Sequence, residues 1–278
     1  MLEAPGMLVA KPRRTCDSWC VLAVFAVTHS GAVLAAEWQP VATGVGYRHV
    51  EREGFDAHIV RVDLATEGLR LVATRESERG LTVSEFARRN AAIVAINADY
   101  FDAEMRPLGL AMGACGLWSE GVARGRHQEV VGIGVRHVQI FPRRKPLRRP
   151  EPWMTGAVSG WPMIVSGCEP VARLPGSDHF TRAPHPRTAV GLAQDGATLY
   201  LVVVDGRREQ VPGVTLPELA AFMDELGACT AVNLDGGGSS AMWIGDRIVN
   251  QPSDPVERPV ANHLAVVAGG DEAACAAP

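Results

Sequence analysis

The segment TLPELAAFMDELGACTAVNLDGGGSS, residues 215–240, sets out a helix, a strand and a glycine-rich turn in succession. Thr215-Leu216-Pro217-Glu218 has the T-x-x-E form of a capping box, proline is tolerated in the first helical turn, and Gly227 supplies a stop. The apolar run from Cys229 to Leu234 then reads as a strand that delivers Asp235 onto Gly236, Gly237, Gly238, Ser239 and Ser240. Glycine has no Cβ, so backbone N–H groups can turn toward a ligand and approach it closely, which makes this a compact polar cradle for an anion. Three consecutive glycines cost more folding entropy than a surface turn requires, which favours a functional reading over a structural one.

Upstream, the same layout recurs. Thr82-Val83-Ser84-Glu85 is again T-x-x-E, opens a short helix through Arg88 or Arg89, and precedes a strand over residues 91–96 that ends in Asn97-Ala98-Asp99-Tyr100-Phe101. Aligning Ala95-Ile96-Asn97-Ala98-Asp99 with Ala231-Val232-Asn233-Leu234-Asp235 matches three positions of five, with apolar residues at the other two. The match reads either as an internal pseudo-repeat or as a generic helix–strand unit. As a repeat, it places Asn97, Asp99, Asn233 and Asp235 around one cleft.

Further outward, residues 47–50, 58–64 and 69–72 alternate apolar and polar like strands with one wet face, and Val130 to Phe141 alternates as one strand. Arg143 to Arg149 is a basic, proline-bounded connector or a weak anion patch. Trp161, in the apolar stretch Gly160 to Gly167, suits either a sugar-stacking face or the interior. His185 to Thr188 leads into Ala189–Ala193, which with Thr198–Val204 flanks an Asp-Gly turn as a hairpin whose second strand is buried on both faces. A further hairpin turns at Gly245-Asp246, and Asn262 to Val267 is a closing strand. The expected architecture is α+β, an extensive mixed β-sheet with a few helices, as one catalytic domain over residues 37–278.

The preceding residues are of another kind. Lys11, Arg13 and Arg14 come before the apolar run Val21 to Val27, and small residues follow at Ala32 to Ala36. That order predicts a secretory signal over residues 1–36, with an uncleaved membrane anchor as the alternative. The 278-residue chain is 47% hydrophobic and 21% charged, with a net charge of −4. A mildly acidic, exported product, periplasmic or extracellular, is no nucleic-acid binder by its net field. Loss of Cys16 and Cys20 with the signal leaves Cys115, Cys168, Cys229 and Cys275, which permit three pairings, although Cys229 also suits a buried thiol. The lack of a CxxC pair argues against a structural zinc site. No cofactor is required by the sequence; Ca²⁺ or Mg²⁺ could be held by Asp, Asn and carbonyl groups, but EF-hand spacing is missing.

The segments HPRTAVGLAQDGATLYLVVVDGR, GVTLPELAAFMDELGACTAVNLDGGGSSAM and PSD, with NADYF and LWSEG upstream, together resemble the phosphodiester glycosidase family over about residues 91–267. The resemblance puts the family pattern on Asn97, Tyr100, Phe101, Arg187, Thr188, Asp205, Gly206, Asn233, Asp235, Gly236, Gly237, Gly238 and Ser239, with Ser240 and Asp99 at positions where relatives vary. It implies hydrolysis of a sugar-1-phosphodiester at the anomeric carbon, with a sugar phosphate or phosphorylated glycan, such as an envelope exopolysaccharide, as substrate.

Glycosidases ordinarily use two carboxyl groups. A phosphomonoester is already a weak base, with a second pKa of about 6, so charge stabilisation can replace much of the proton transfer to the leaving group. Asp235 is accordingly expected as general base or oxocarbenium-facing carboxylate, Asp205 as the second carboxylate and His185 as an acid. Arg187 offers a planar fork for phosphate oxygens, and Thr188, Asn97, Asn233 and residues 236–240 complete the binding set. Gly237-Gly238-Ser239-Ser240-Ala241 falls short of a nucleophile elbow, because the last glycine is missing and a strand rather than a helix comes next. A non-catalytic binder of phosphorylated polysaccharide, or a phosphodiesterase cutting P–O, are the competing readings.

Overall fold

The structure is a computed structural model that describes residues 1, 37–119, 129–145, 147 and 149–269. The expected export signal therefore lies outside the described residues, apart from its first. Among the described residues, strands and α-helices succeed one another in chain order: β1 (Gln39–Ala42), β2 (Val45–Arg52), β3 (Phe55–Asp63), β4 (Leu69–Ala73), α1 (Val83–Arg89), β5 (Ala92–Asn97), β6 (Met112–Gly113), β7 (Gly116–Leu117), β8 (Glu129–Gly134) and β9 (His137–Phe141). Then come β10 (Met154–Gly160), β11 (Met163–Ser166), α2 (Asp178–Arg182), β12 (Arg187–Ala193), β13 (Thr198–Val204), α3 (Leu216–Glu225), β14 (Ala228–Asn233), β15 (Met242–Ile244), β16 (Arg247–Ile248) and β17 (His263–Ala268).

The α+β class holds. The strands form three sheets, in the orders β1-β2-β3-β13-β12-β14-β11, β16-β15-β5-β17-β4 and β7-β6-β10-β8-β9. The expected mixture of pairings is replaced, among the described residues, by antiparallel pairing throughout. The reason is topological: β5 is flanked by β15 and β17 from the end of the chain, and β14 by β12 and β11, so neither helix–strand unit makes a parallel crossover.

Both helices start as their sequences predict. Thr82 and Thr215 accept from the N–H of Glu85 and Glu218, and those glutamates return a bond to the threonine N–H. Each such cap contributes about 1 kcal/mol. Gly227, at φ +90°, ends the second unit. The two units also bury themselves alike. Val94 and Ile96 of β5 and Val232 of β14 face one core shared with Val131 and Val158 of the third sheet. The residues between them face outward: Ala95 meets Phe86 of α1, and Ala231 meets the Leu219–Phe222 face of α3.

Residues 130–141 form a hairpin, β8–β9, where one strand was expected. Its turn carries no Asn-Gly or Asp-Gly signal, and Arg136 adopts the left-handed region at φ +51°. Trp161 takes the interior alternative, 3% exposed and stacked on Phe180 at 5.0 Å. Cys168 bridges Cys229, tying the end of β11 to β14, and Cys115 is also disulfide-bonded.

Candidate active site

The ends of β5 and β14 meet, although they belong to different sheets. Asn97 donates from Nδ2 to the Asp235 carbonyl (2.6 Å), and its Oδ1 accepts from the Thr188 hydroxyl (2.8 Å) and the Ala241 N–H (3.2 Å). The Asp235 N–H donates to the Ala98 carbonyl at 2.9 Å. Asn233 donates from Nδ2 to the Tyr100 hydroxyl (2.7 Å) and the Trp161 carbonyl (2.8 Å). Asn97, Thr188, Asn233, Ser239 and Ser240 are all buried. These residues form the platform beneath the turn rather than its open face.

Asp99 also sits in this platform. It is 1% exposed, and its Oδ1 accepts from the Ser159 N–H and Asn262 Nδ2, while Oδ2 has no partner among the described residues. Burial raises its pKa well above the ordinary carboxyl value, and the nearby Asp235 charge adds to the rise.

Asp235 differs in being half-buried and in being followed by three glycines. Residues 237–239 form a short 3-10 turn, with Gly237 at φ +63°. The N–H groups of Gly236, Gly237, Ser239 and Ser240 are spent on Asp235 Oδ1 and on the carbonyls of Pro186, Gly236 and Gly237. The expected cradle of free N–H groups is therefore largely closed on itself. The three glycines serve close approach instead. A Cβ at Gly236 would meet the Pro186 carbonyl, one at Gly237 the Arg207 guanidinium, and one at Gly238 both the Arg258 guanidinium and the Asp254 carboxylate. Two guanidiniums thus pack against the backbone of this turn.

Burial pushes the Asp235 carboxyl up to about 6. The Ser239 hydroxyl, the Gly236 N–H and the positive charges of Arg258 and Arg207 pull the other way. The Ser239 Oγ does so as a near neighbour without a well-formed hydrogen bond. A carboxyl on a half-buried residue and poised near 6 can both give and take a proton at neutral pH.

The other expected site residues take supporting positions. Arg187, at the start of β12, is 3% exposed; its Nε donates to the Val214 carbonyl and its Nη2 to those of Phe180 and Ala183. It clamps the α2 segment over the Trp161–Phe180 stack rather than offering a free fork, and no carboxylate among the described residues pairs with it. Burial lowers its pKa to about 10. His185 is half-buried, edge-on to His179, with Nε2 3.2 Å from the His179 carbonyl, and burial lowers its pKa. Asp205 is 2% exposed and accepts from Asn250 Nδ2, the Gln251 N–H and Arg208 Nη2. Asn250 in turn holds the Ser240 carbonyl and the Met242 N–H, so Asp205 anchors the far side of the turn.

Sequence reasoning did not reach Arg207 and Arg258 as partners of Asp235. Asp254 and Arg258 pair with Oδ2 2.6 Å from Nη2 in a segment without periodicity; the only pointer was the PSD motif. Among the described residues, the group of His, Cys, Asp or Glu side chains close enough to share an ion is His49, Asp56 and His58, away from the turn on β2 and β3.

A family model described as phosphodiester glycosidase matches residues 90–267. The bovine N-acetylglucosamine-1-phosphodiester α-N-acetylglucosaminidase is 29% identical over 206 residues, covering 64% of this chain and 36% of that protein. An uncharacterized SPβ-prophage-derived protein of Bacillus subtilis is 38% identical over 82 residues, covering 30% of this chain and 13% of its own. The chain therefore spans about a third or less of these relatives. Among solved structures, the zebrafish N-acetylglucosamine-1-phosphodiester α-N-acetylglucosaminidase catalytic domain, auto-inhibited by its pro-peptide, superposes with a TM-score of 0.62 at 20% identity, covering 84% of this chain and 83% of that one. A hypothetical protein from Synechocystis gives the same TM-score at 17% identity, covering 83% and 63%. At these identities the structural likeness bears on the fold.

Proposed function

The chain belongs to the phosphodiester glycosidase family, and on that premise we propose that it hydrolyses a sugar-1-phosphodiester at the anomeric carbon, giving free sugar and a phosphomonoester. The observation that carries this reading is Asp235: a carboxyl near 6, set against a turn on which the Arg207 and Arg258 guanidiniums pack.

Ionised Asp235 accepts a proton from water as its oxygen bonds to the anomeric carbon. The bond from that carbon to the phosphate oxygen breaks, and its electron pair stays on the phosphate. The leaving group is a weak base, so stabilisation of its charge matters more than its protonation. Arg207 is exposed and Arg258 is 40% exposed at its side chain, so both can reach phosphate oxygens. Arg187 contributes indirectly, by fixing the α2 segment. Asp205 positions the turn through Asn250. Asn97, Thr188 and Asn233 hold the two strand ends in register.

The substrate class is a sugar phosphate or phosphorylated glycan, with an N-acetylhexosamine-1-phosphodiester, in line with the bovine relative's name, the first to try. The Cys168–Cys229 bridge and the disulfide at Cys115 support a location outside the cytoplasm, periplasmic or extracellular. The test is a panel of sugar-1-phosphodiesters, with and without chelator, run in ¹⁸O-water. Label on the sugar supports the reading. Label on phosphate means P–O cleavage, and saturable binding without release of sugar means a binding protein; either outcome overturns it.

A further inference from the structure

We propose a divalent transition-metal site of the zinc class on the β2–β3 hairpin, held by His49, His58 and Asp56. The hairpin register sets His49 directly opposite His58 and Glu51 opposite Asp56. The two imidazoles stack at 4.5 Å and 11°. Nε2 of His49 is 2.7 Å and Nε2 of His58 is 3.5 Å from the same oxygen, Asp56 Oδ1. All three donor atoms lie within 4.8 Å of one another. With metal–ligand bonds of about 2.0–2.2 Å, tetrahedral donors stand roughly 3.3–3.5 Å apart, so an ion enters once the widest donor pair closes by roughly 1.5 Å at most.

The donor set selects the ion. Two imidazoles and one carboxylate suit zinc-class cations, whereas Ca²⁺ and Mg²⁺ need six or more oxygens or an octahedral oxygen shell. The outer contacts are those of a built site. The Tyr47 hydroxyl is 2.8 Å from His58 Nδ1, fixing that ring with Nε2 toward Asp56. Arg208 Nη2 donates to Asp56 Oδ2 at 2.9 Å, leaving Oδ1 for the metal. His58 is buried and the His49 side chain is 39% exposed, so the ion has a path in from the His49 side. Three protein ligands leave a fourth position for water.

The site is separate from Asp235 and mechanically joined to its turn. Asp205 Oδ2 lies 4.0 Å from His58 Nε2 and shares Arg208 with Asp56. A metal here would brace the hairpin against the Asp205–Asn250–Ser240 chain of contacts. CxxC spacing could not reveal it, because the two histidines come together only through strand pairing.

The test uses the untagged, purified protein, stripped with EDTA and titrated with Zn²⁺ alone by calorimetry, then with Co²⁺ by visible absorption. One equivalent should bind, with tetrahedral cobalt bands, and a tenfold excess of Ca²⁺ or Mg²⁺ should not displace it. His49→Ala, at a half-exposed position, should abolish binding while the metal-free protein keeps a cooperative melting transition. Tyr47→Phe should weaken it about 10–100-fold. His179→Asn, removing one ring of the other imidazole pair, should leave it intact. Absence of stoichiometric zinc binding, or binding that His49→Ala leaves as tight, overturns the proposal. No substrate is needed, so this result stands or falls apart from the glycosidase reading.

Discussion

Asp99 and Asp235 occupy the same place in two helix–strand units of like build, yet one is fully buried and the other half-buried. Each comes after a strand whose alternate residues face a helix and the shared core, and each is the third residue of an Asn-x-Asp end. The residues downstream of each carboxylate decide the difference. Tyr100 and Phe101 come next after Asp99, and Ser159 and Asn262 close over it. Three glycines come next after Asp235, and the space where side chains would stand is taken by Arg207, Arg258 and Asp254. The unit supplies a position for a carboxylate; its downstream neighbours determine how deeply that carboxylate is buried.

The largest predicted effect breaks this pairing outright. Asp235→Asn should lower kcat by about 10²–10⁴-fold, the usual worth of an acid–base group, while retaining substrate binding. Asp99→Asn should keep kcat within a few-fold, because that carboxyl is buried in the platform, where its Oδ1 is taken by the Ser159 N–H and Asn262 Nδ2. Steady-state kinetics on one substrate separate the two.

Next in size is the turn. Gly238→Ala puts a methyl group where the ends of Arg258 and Asp254 lie, and should reduce kcat/KM by about 10²-fold through a displaced guanidinium. Gly237→Ala adds left-handed strain of about 1–2 kcal/mol. Chemical denaturation alongside kinetics should show Gly238→Ala acting mainly on rate and Gly237→Ala on both.

Smaller still is the effect of Arg187→Lys. A lysine cannot serve three carbonyls in Arg187's geometry, so the loss should be about 1–3 kcal/mol of stability from groups left unpaired. KM should rise less than for Arg258→Ala; the reverse order would return the phosphate to Arg187.

The smallest effect is on stability against pH. Both carboxyls have folded pKa values above the unfolded value of about 3.9. A raised folded pKa means stability present below the unfolded value and lost as pH rises through the folded one. For Asp235 that window runs from about 4 to about 6. Asp235→Asn should therefore melt higher than wild type at pH 8, and the gap should close by about pH 4.

Much of the scaffold was legible because its signals are local. Both capping boxes, the Gly227 stop, the Asp195-Gly196 hairpin and the strand running into Asp235 each depend on residues adjacent in sequence. The β8–β9 turn was not legible, since Arg136 adopts a conformation for which its sequence carries no mark. The division into three sheets depends on partners that arrive from the chain's end. Site assignments were harder for the same reason. Asp205 looks like an Asp-Gly turn residue until Asn250 and Gln251, some 45 residues later, enclose it. Arg187 looks like a phosphate fork until the α2 segment brings carbonyls to it. The three glycines are plain in the sequence, but what they approach is not: the Pro186 carbonyl and guanidiniums that come from residues 207 and 258.

The most direct measurement is kcat/KM against pH for wild type and Asp99→Asn with one sugar-1-phosphodiester. If Asp235 is the working base, both proteins should gain activity as pH rises through about 6, with the same midpoint. A wild-type profile flat through that region, or a limb that disappears in Asp99→Asn, would contradict the assignment of the chemistry to Asp235.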